Sequence, residues 1–349
     1  MLSAPAAPGF ARRAASAPDV AAIVVSHRSA AEAVACVASL REELARDAIR
    51  GEVILVDCAS GDAEAAVLRR AAADDLLLLP ENRGYSGGIN AGLARARAPR
   101  LLLCNADLVF GPGSLSRLLA ALERPGTGAA GPLCHWDAAG RIRMPPGYAP
   151  AFWRDFFQLA AGRFPAIDRR RFAAAAREAG RLWREGGETA HLTGAVLAVR
   201  RETFDRAGRF DERFPLEYEE SEWEERVRAA GLVLRYEPAA RVRHLYARSS
   251  TRSAEAPARR EASRDLYRLR RYGRLGAAAL AAPRLPRRDG ASVAISPNPS
   301  LLPFAGASLD ADFELPADVL ASLPPGPLYL RVFRDRDGEP LETYVWSRP

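Results

Sequence analysis

The feature that most constrains the fold of this chain is a regular alternation of short apolar runs with longer segments of helical periodicity. The run VAAIVVS, beginning at Val20, precedes the helical segment 30–46, and the same pairing repeats as far as residue 123. Short apolar runs of this kind predict buried strands, and the helical segments are long enough to serve as crossovers. Crossovers between parallel strands are right-handed and lie on the faces of the sheet. We therefore expect an α/β fold with a mostly parallel central sheet covered by helices.

The same pattern defines the predicted elements and domains. The further predicted strands are EVILVD, LLLLP, RLLLCNAD, GAAGPL, GAVLAVR and LVLRYEP, and the further predicted helices are 63–73, 88–97, 114–123, 217–230 and 259–273. Residues 1–19 are expected to form a flexible tail and residues 20–275 the main domain. Residues 144–190 are aromatic, Arg-rich and helical in character, and we interpret them as an insertion beside the acceptor side of the site. Residues 288–349 alternate like strands and predict a small β-rich appendage.

Composition restricts the class of protein without choosing a ligand. All 50 basic residues are Arg, and the net charge of +7 is compatible with anionic partners such as nucleotides and lipid phosphates. The four Cys show no CxxC spacing, so buried free thiols in a reducing compartment are expected. No signal peptide and no apolar stretch of membrane-spanning length is apparent, so we predict a cytoplasmic protein. The basic tract 258–273 fits either a lipid-facing helix or a solvated one.

Polar side chains follow the predicted strands where each one ends. Ser26 and His27 follow the first strand, Asp57 ends the second, and Asn105 and Asp107 end the fourth. In parallel α/β sheets, ligands bind at the carboxyl ends of the strands. We therefore expect these side chains to border one site.

The triplet Asn105, Ala106 and Asp107 suits a metal shared with a ligand. Its spacing turns the Asn and Asp side chains to the same side of an extended backbone. Two protein ligands suffice for Mg²⁺ or Mn²⁺ when a diphosphate supplies the remaining oxygens. A plain polar turn at a strand end is the alternative.

The segment ENRGYSGGINAGL, residues 81–93, is rich in Gly and Asn at the start of a predicted helix. Glycines there allow backbone amides to approach a phosphate or a sugar. Such loops are frequent, so this signal is weak alone. We interpret Asn82, Gly84, Gly88 and Asn90 as donor-binding residues.

The segment FPLEYEESEWEERVRAAG, residues 214–231, concentrates carboxylates around the start of a predicted helix. A solvated acidic first turn explains most of them. If one carboxylate faces a cleft, repulsion from its neighbours would raise its pKa toward that of a general base. His244, after a later strand, is either a metal or phosphate partner in the same cleft or a structural histidine.

These motifs, in this order, resemble glycosyltransferase family 2 and its rhamnosyltransferase-like bacterial members. The matching stretches are IVVSHRSAAEAVACVASL, EVILVDCASGD, ENRGYSGGINAGL, LLLCNADLVFGPGSL, LTGAVLAVRRETFDRAGRFDERF, EYEESEWEERVRAAG and VRHLYARSS. These stretches span residues 20–273. Seven motifs in the expected order identify a family more specifically than any single motif does. The resemblance implies a GT-A nucleotide-sugar-binding fold.

The resemblance also implies residue roles. Asp57 would bind the nucleotide base, and Asn105 with Asp107 would stand for the DxD-type metal and diphosphate site. Glu220, preceded by Glu219, would be the catalytic base. In addition, His244 would help to hold the metal, and an acceptor pocket would be bordered by Thr193, Gly194 and Glu222.

Three departures from the family pattern affect these roles. Cys58 replaces the usual Asn after Asp57, and Arg28 replaces another frequent Asn. The identity of the nucleotide base and the residues that contact the ribose are therefore left open. Glu220 stands where Asp is commoner, which lengthens the base by one methylene.

The implied activity is inverting, metal-dependent transfer of a sugar from a dTDP-, UDP- or GDP-linked donor to a glycan or lipid-linked acceptor. No nucleic-acid partner is expected, whereas a peripheral membrane contact and a homodimer are left open. The first alternative is a sugar nucleotidyltransferase, but SHRSAAEA after the first strand lacks the expected Gly-rich loop. The second is a non-catalytic carbohydrate-binding or scaffold protein. A hydride-transferring dinucleotide enzyme fits worst, because the glycines follow the third strand and not the first.

Overall fold

The computed structural model describes residues 17–147, 165–245, 256–279, 306–307, 327–333 and 340–347. In its first half, strands and helices alternate as predicted: β1 Val20–Ser26, α1 Ala30–Arg46, β2 Gly51–Cys58, α2 Asp62–Leu68, β3 Asp75–Leu79, α3 Gly84–Arg95, β4 Arg100–Asn105, β5 Leu108–Phe110, α4 Ser114–Leu122 and β6 Thr127–His135. The remaining elements are β7 Ile142–Arg143, α5 Pro165–Glu185, β8 Gly187–Thr189, β9 Val196–Arg200, α6 Arg201–Ala207, α7 Glu219–Ala229, β10 Val233–His244, α8 Ala256–Ala279, β11 Gly306–Ala307, β12 Pro327–Phe333 and β13 Pro340–Ser347.

The central sheet is mixed, with a parallel core. Its main path runs β11-β7-β6-β9-β4-β1-β2-β3, and β1 pairs in parallel with both β2 and β4. β9 is antiparallel to β4 and to β6, whereas β10 is parallel to β6. The parallel strands bring the ends of β1, β2 and β4 to one edge, as the alternation predicts.

Helices cover both faces of the sheet because successive strand residues point to opposite sides. Val20, Ala22 and Val24 pack into one core with α1, α2 and α4. Ala21 and Ile23 pack into a second core with α3, α5, α6 and α7. Burial on both faces explains why the strands read as continuous apolar runs.

Helix α3 begins four residues before its predicted start at residue 88, so most of the glycine segment is helical. A Cβ at Gly88 would lie 2.6 Å from Val25 Cγ1, and a Cβ at Gly92 would lie 2.3 Å from Ile23 Cγ2. These two glycines therefore let α3 approach β1 closely. Close packing on β1 is thus a structural reason for glycine at residue 88, and its donor contact stays a prediction.

The outer segments are described in part. Helix α5 and strand β8 lie within the predicted insertion 144–190, and α8 extends beyond the predicted 259–273 with a kink at Gly273. β12 and β13 form an antiparallel hairpin in the predicted β-rich segment. Most of the predicted tail 1–19 and of segment 288–349 falls outside the described residues. None of the described helices combines the length and hydropathy needed to cross a bilayer.

Candidate active site

A cleft of about 250 Å³ opens at the carboxyl ends of β1, β2 and β4. Polar residues from distant parts of the chain line it. Those that the sequence predicts are His27, Asn82, Gly84, Asn105, Ala106, Asp107, Thr193, Gly194, Glu219, Glu220 and His244. The strand-end residues and the acidic motif therefore share one cavity.

Asp107 and His244 meet because the short strand β5 pairs with the end of the long strand β10. β10 runs antiparallel to β5, which places His244 opposite Leu108, and the Leu245 N–H donates to the Asp107 carbonyl oxygen at 2.9 Å. His244 Nε2 lies 3.2 Å from Asp107 Oδ1, and both side chains are buried. This pairing also explains the apolar triplet directly after Asp107.

The donor set at this point fits a hard divalent cation that is shared with a ligand. Asp107 supplies a carboxylate and His244 an imidazole, and Asn105 lies beside them on the cleft wall. Among the described residues, no group of three or more His, Cys, Asp or Glu side chains could hold a metal by itself. Mg²⁺ and Mn²⁺ need only one or two protein ligands when phosphate oxygens complete the coordination.

The acidic motif forms another wall of the cleft. Glu219 and Glu220 are the first residues of α7, and a Cβ at Gly194 would lie 3.1 Å from Glu220 Cβ and Cγ. Burial raises the pKa of Glu220, while burial followed by repulsion from Glu220 raises the pKa of Glu219 well above its ordinary value. Two adjacent carboxyl groups therefore bind protons more tightly than exposed glutamates do.

A strained turn presents these carboxylates, and α8 holds it. Glu217 and Tyr218 have φ of +64° and +69°, a left-handed conformation that is uncommon for residues other than glycine. The Leu216 N–H donates to Ser263 Oγ on α8 at 3.1 Å, and Tyr218 packs on Tyr267 with ring centroids 5.4 Å apart. The turn persists because its surroundings determine it.

The predicted basic tract is bound to this acidic segment. Three of its arginines pair with carboxylates outside the tract: Arg260 with Glu217 and Arg271 with Glu225 in the acidic segment, and Arg270 with Asp211 just before it. Arg259, at the start of the tract, lines the cleft. One face of the tract thus packs against the protein, and contact of its exposed face with lipid stays a prediction.

Five predicted site residues do not line the cleft: Ser26, Asp57, Gly88, Asn90 and Glu222. Both carboxylate oxygens of Asp57 accept from Ser60, at 2.9 Å from its N–H and 2.5 Å from its hydroxyl. Asp57 therefore holds the loop after β2 beside the cleft, and its contact with the nucleotide base stays a prediction.

The other four residues have structural partners. Ser26 Oγ lies 3.2 Å from Ser29 Oγ, and Gly88 packs on Val25. Asn90 Nδ2 donates to the Phe210 carbonyl and to Glu212 at 2.9 Å each. Glu222 forms an ion pair with Arg226 at 2.7 Å. Direct ligand contacts of these four residues stay predictions.

Sequence reasoning missed three groups at the site. Tyr85 and Arg259 line the cleft, and the Tyr85 hydroxyl donates to the Gly194 carbonyl oxygen at 2.8 Å. Buried His191 lies beside Glu220. In the sequence His191 stands two residues before Thr193 and Gly194, and that position carries no chemical signal by itself.

The family model Glycosyl transferase family 2 matches residues 21–177. The N-acetylglucosaminyl-diphospho-decaprenol L-rhamnosyltransferase of Mycobacterium tuberculosis is 32% identical over 216 residues, which cover 57% of this chain and 68% of that protein. The succinoglycan biosynthesis protein ExoO of Rhizobium meliloti is 33% identical over 113 residues, 31% of each chain.

Among solved structures, the mannosyltransferase PcManGT from Pyrobaculum calidifontis, in complex with GDP-Man and Mn²⁺, aligns with a TM-score of 0.48 at 19% identity. The alignment covers 77% of this chain and 74% of that one. The matched family region contains the strand-end residues of the cleft, and the rhamnosyltransferase match extends over most of that relative. The chain therefore belongs to glycosyltransferase family 2 and is a glycosyltransferase of the GT-A type.

Proposed function

We propose that this enzyme transfers a sugar, with inversion, from a nucleoside-diphosphate donor to a hydroxyl of a lipid-linked glycan acceptor. The observation that carries the proposal is the shared cleft, in which Asp107 and His244 face the acidic pair Glu219 and Glu220. Asp107 and His244 suit the binding of a metal-bound diphosphate, and the acidic pair can accept a proton from the acceptor hydroxyl.

In the proposed reaction, the acceptor oxygen attacks the anomeric carbon while the bond from that carbon to the diphosphate oxygen breaks. Glu220 takes the hydroxyl proton, and the nucleoside diphosphate leaves. A single displacement of this kind inverts the configuration and needs one base. Burial raises the pKa of Glu220, which strengthens it as a base near neutral pH.

Asp107 and His244 would hold Mg²⁺ or Mn²⁺ together with the donor. When bound, the cation supplies positive charge that stabilises the departing diphosphate. Asn105 and Arg259 would contact the donor phosphates, since both line the same cleft.

Support for a lipid-linked acceptor comes from the mycobacterial relative, whose name specifies a diphospho-decaprenol acceptor. We propose the same acceptor class here, with the reaction taking place at a membrane surface on the cytoplasmic side and serving cell-envelope polysaccharide synthesis. The remaining donor, acceptor and domain assignments made from the sequence stay predictions.

Glu220→Gln tests the proposal. The substitution keeps the shape of the side chain but removes the base, so kcat should fall by about 10²- to 10⁴-fold while donor binding is unchanged. Rates would be measured with a panel of nucleotide sugars and a polyprenyl-diphosphate glycan acceptor, and donor binding by calorimetry.

Glu123→Gln is the matched control, since Glu123 pairs with Arg100 at the opposite end of β4. Wild-type turnover in Glu220→Gln would refute the assigned role of Glu220. Tight glycan binding without transfer from any nucleotide sugar by the unmodified protein would instead favour the scaffold alternative.

A further inference from the structure

Behind Glu220 lies a buried pair, His191 and Glu224, that the proposed reaction does not use. His191 lies between β8 and β9, and Glu224 lies one turn after Glu220 on the same face of α7. Glu224 has no exposed surface. A carboxylate at such a position is costly unless it is hydrogen-bonded or paired.

Both oxygens of Glu224 have a close polar neighbour. The Leu192 N–H donates to Glu224 Oε1 at 3.1 Å, and His191 Nδ1 contacts Glu224 Oε2. The imidazole is also confined by Gly147, where a Cβ would come within 2.7 Å of His191 Cδ2. Glu224 and Gly147 therefore fix the orientation of the ring.

This orientation directs the other ring nitrogen at the proposed base. His191 Nε2 lies 3.8 Å from Glu220 Oε1. Both ring nitrogens thus face carboxylate oxygens, and an ionised carboxylate can only accept hydrogen bonds. An imidazolium carries a proton on each ring nitrogen, so this arrangement suits a positively charged ring beside an ionised Glu220.

We propose that His191, oriented by Glu224, is a positioning residue that holds Glu220 ionised and fixes its Oε1 atom. This inference rests on the proposed role of Glu220 as the base. It leaves Glu220 Oε2 for the acceptor hydroxyl. During transfer the proton of the acceptor hydroxyl moves to Glu220. His191 forms no covalent bond with the substrate.

The charges around Glu220 support this role. Burial raises its pKa most, Glu224 and Glu217 add to the rise, and His191 lowers it. Glu219 and Tyr85 also interact electrostatically with Glu220, and each interaction raises the pKa of Glu219 or of Tyr85. His191 is the one group in this set that can carry a positive charge, so its removal should favour protonated Glu220.

His191→Gln tests the inference. We expect kcat to fall about 10- to 100-fold, a magnitude typical of losing a supporting residue. The donor KM should remain unchanged. The acid limb of the kcat profile should move to higher pH, because Glu220 loses the group that lowers its pKa. His135→Gln is the matched control, since His135 lies outside the cleft and contacts the Asp137 carbonyl.

Glu224→Gln provides a second variant that keeps an acceptor for the Leu192 N–H and so protects the fold. It should lower kcat with little change in thermal midpoint or donor affinity. Unchanged kcat and acid limb in His191→Gln, with Glu220→Gln inactive, would overturn the inference and leave the proposed function intact. A lowered thermal midpoint alone would also overturn it. Full activity of Glu220→Gln would overturn the proposed function first.

Discussion

A methyl group added at Gly194 should displace the proposed base. The new Cβ would lie 3.1 Å from Glu220 Cβ and Cγ and 3.4 Å from Glu220 Cδ. Carbon atoms in favourable contact are about 3.5 to 4.0 Å apart. Glu220 must therefore retreat by roughly 0.4 to 0.9 Å, because the methyl group is attached to the backbone and cannot itself turn aside.

This displacement has a predictable kinetic cost. A misplacement of about 1 Å can lower a rate by about 10²-fold. We expect kcat of Gly194→Ala to fall about 10- to 100-fold. Overpacking should cost about 1 to 3 kcal/mol of the free energy of unfolding. Donor affinity should stay constant, since Asp107 and His244 lie on another wall.

The assay is steady-state transfer at saturating donor and acceptor, with calorimetric donor titration and urea unfolding in parallel. Gly180→Ala on α5 is the matched control, because its Cβ would meet only the flexible end of Arg184, with Nη1 at 3.1 Å. A Gly194→Ala enzyme with wild-type kcat would refute the reasoning, as would a loss confined to donor affinity.

Two further substitutions test the walls of the cleft. Asp107→Asn should weaken donor binding at least 10-fold in the presence of Mn²⁺ but little in its absence, because a carboxylate ligand of the cation is lost. Calorimetric donor titration with and without the metal measures this difference. An equal loss of affinity in both conditions would argue against a shared cation. Gly88→Ala should lower the free energy of unfolding by about 1 to 3 kcal/mol, since its Cβ would lie 2.6 Å from Val25 Cγ1, and should leave donor affinity unchanged. Weaker donor binding in a stable Gly88→Ala protein would support the predicted contact between Gly88 and the donor.

Much of the fold was predictable because its signals are local. The alternation that begins at Val20 gave the strands and helices of the first half, and the strand ends indicated the edge that carries the cleft. Asn105 and Asp107 were identified this way, whereas the acidic motif was identified from its crowded carboxylates and Glu220 from the family resemblance. The four cysteines are buried and unbridged, as their spacing predicted.

Other parts depend on contacts between distant residues. His244 reaches Asp107 through the pairing of β10 with β5, and that register is not encoded in either segment alone. Strand β10 is accordingly longer than the predicted LVLRYEP. Helix α3 begins early because close packing on β1 accommodates its glycines, which sequence alone reads as a loop.

The sequence by itself determined the elements, the buried faces and the edge where ligands bind, because the periodicity of apolar residues is a local property of the chain. Tertiary structure alone decided which polar groups face the cleft. Asp57 turns to Ser60 in its own loop, whereas His191 reaches Glu220 across the fold. The direction of a side chain depends on partners that are far away in sequence, and only the packed molecule brings those partners together.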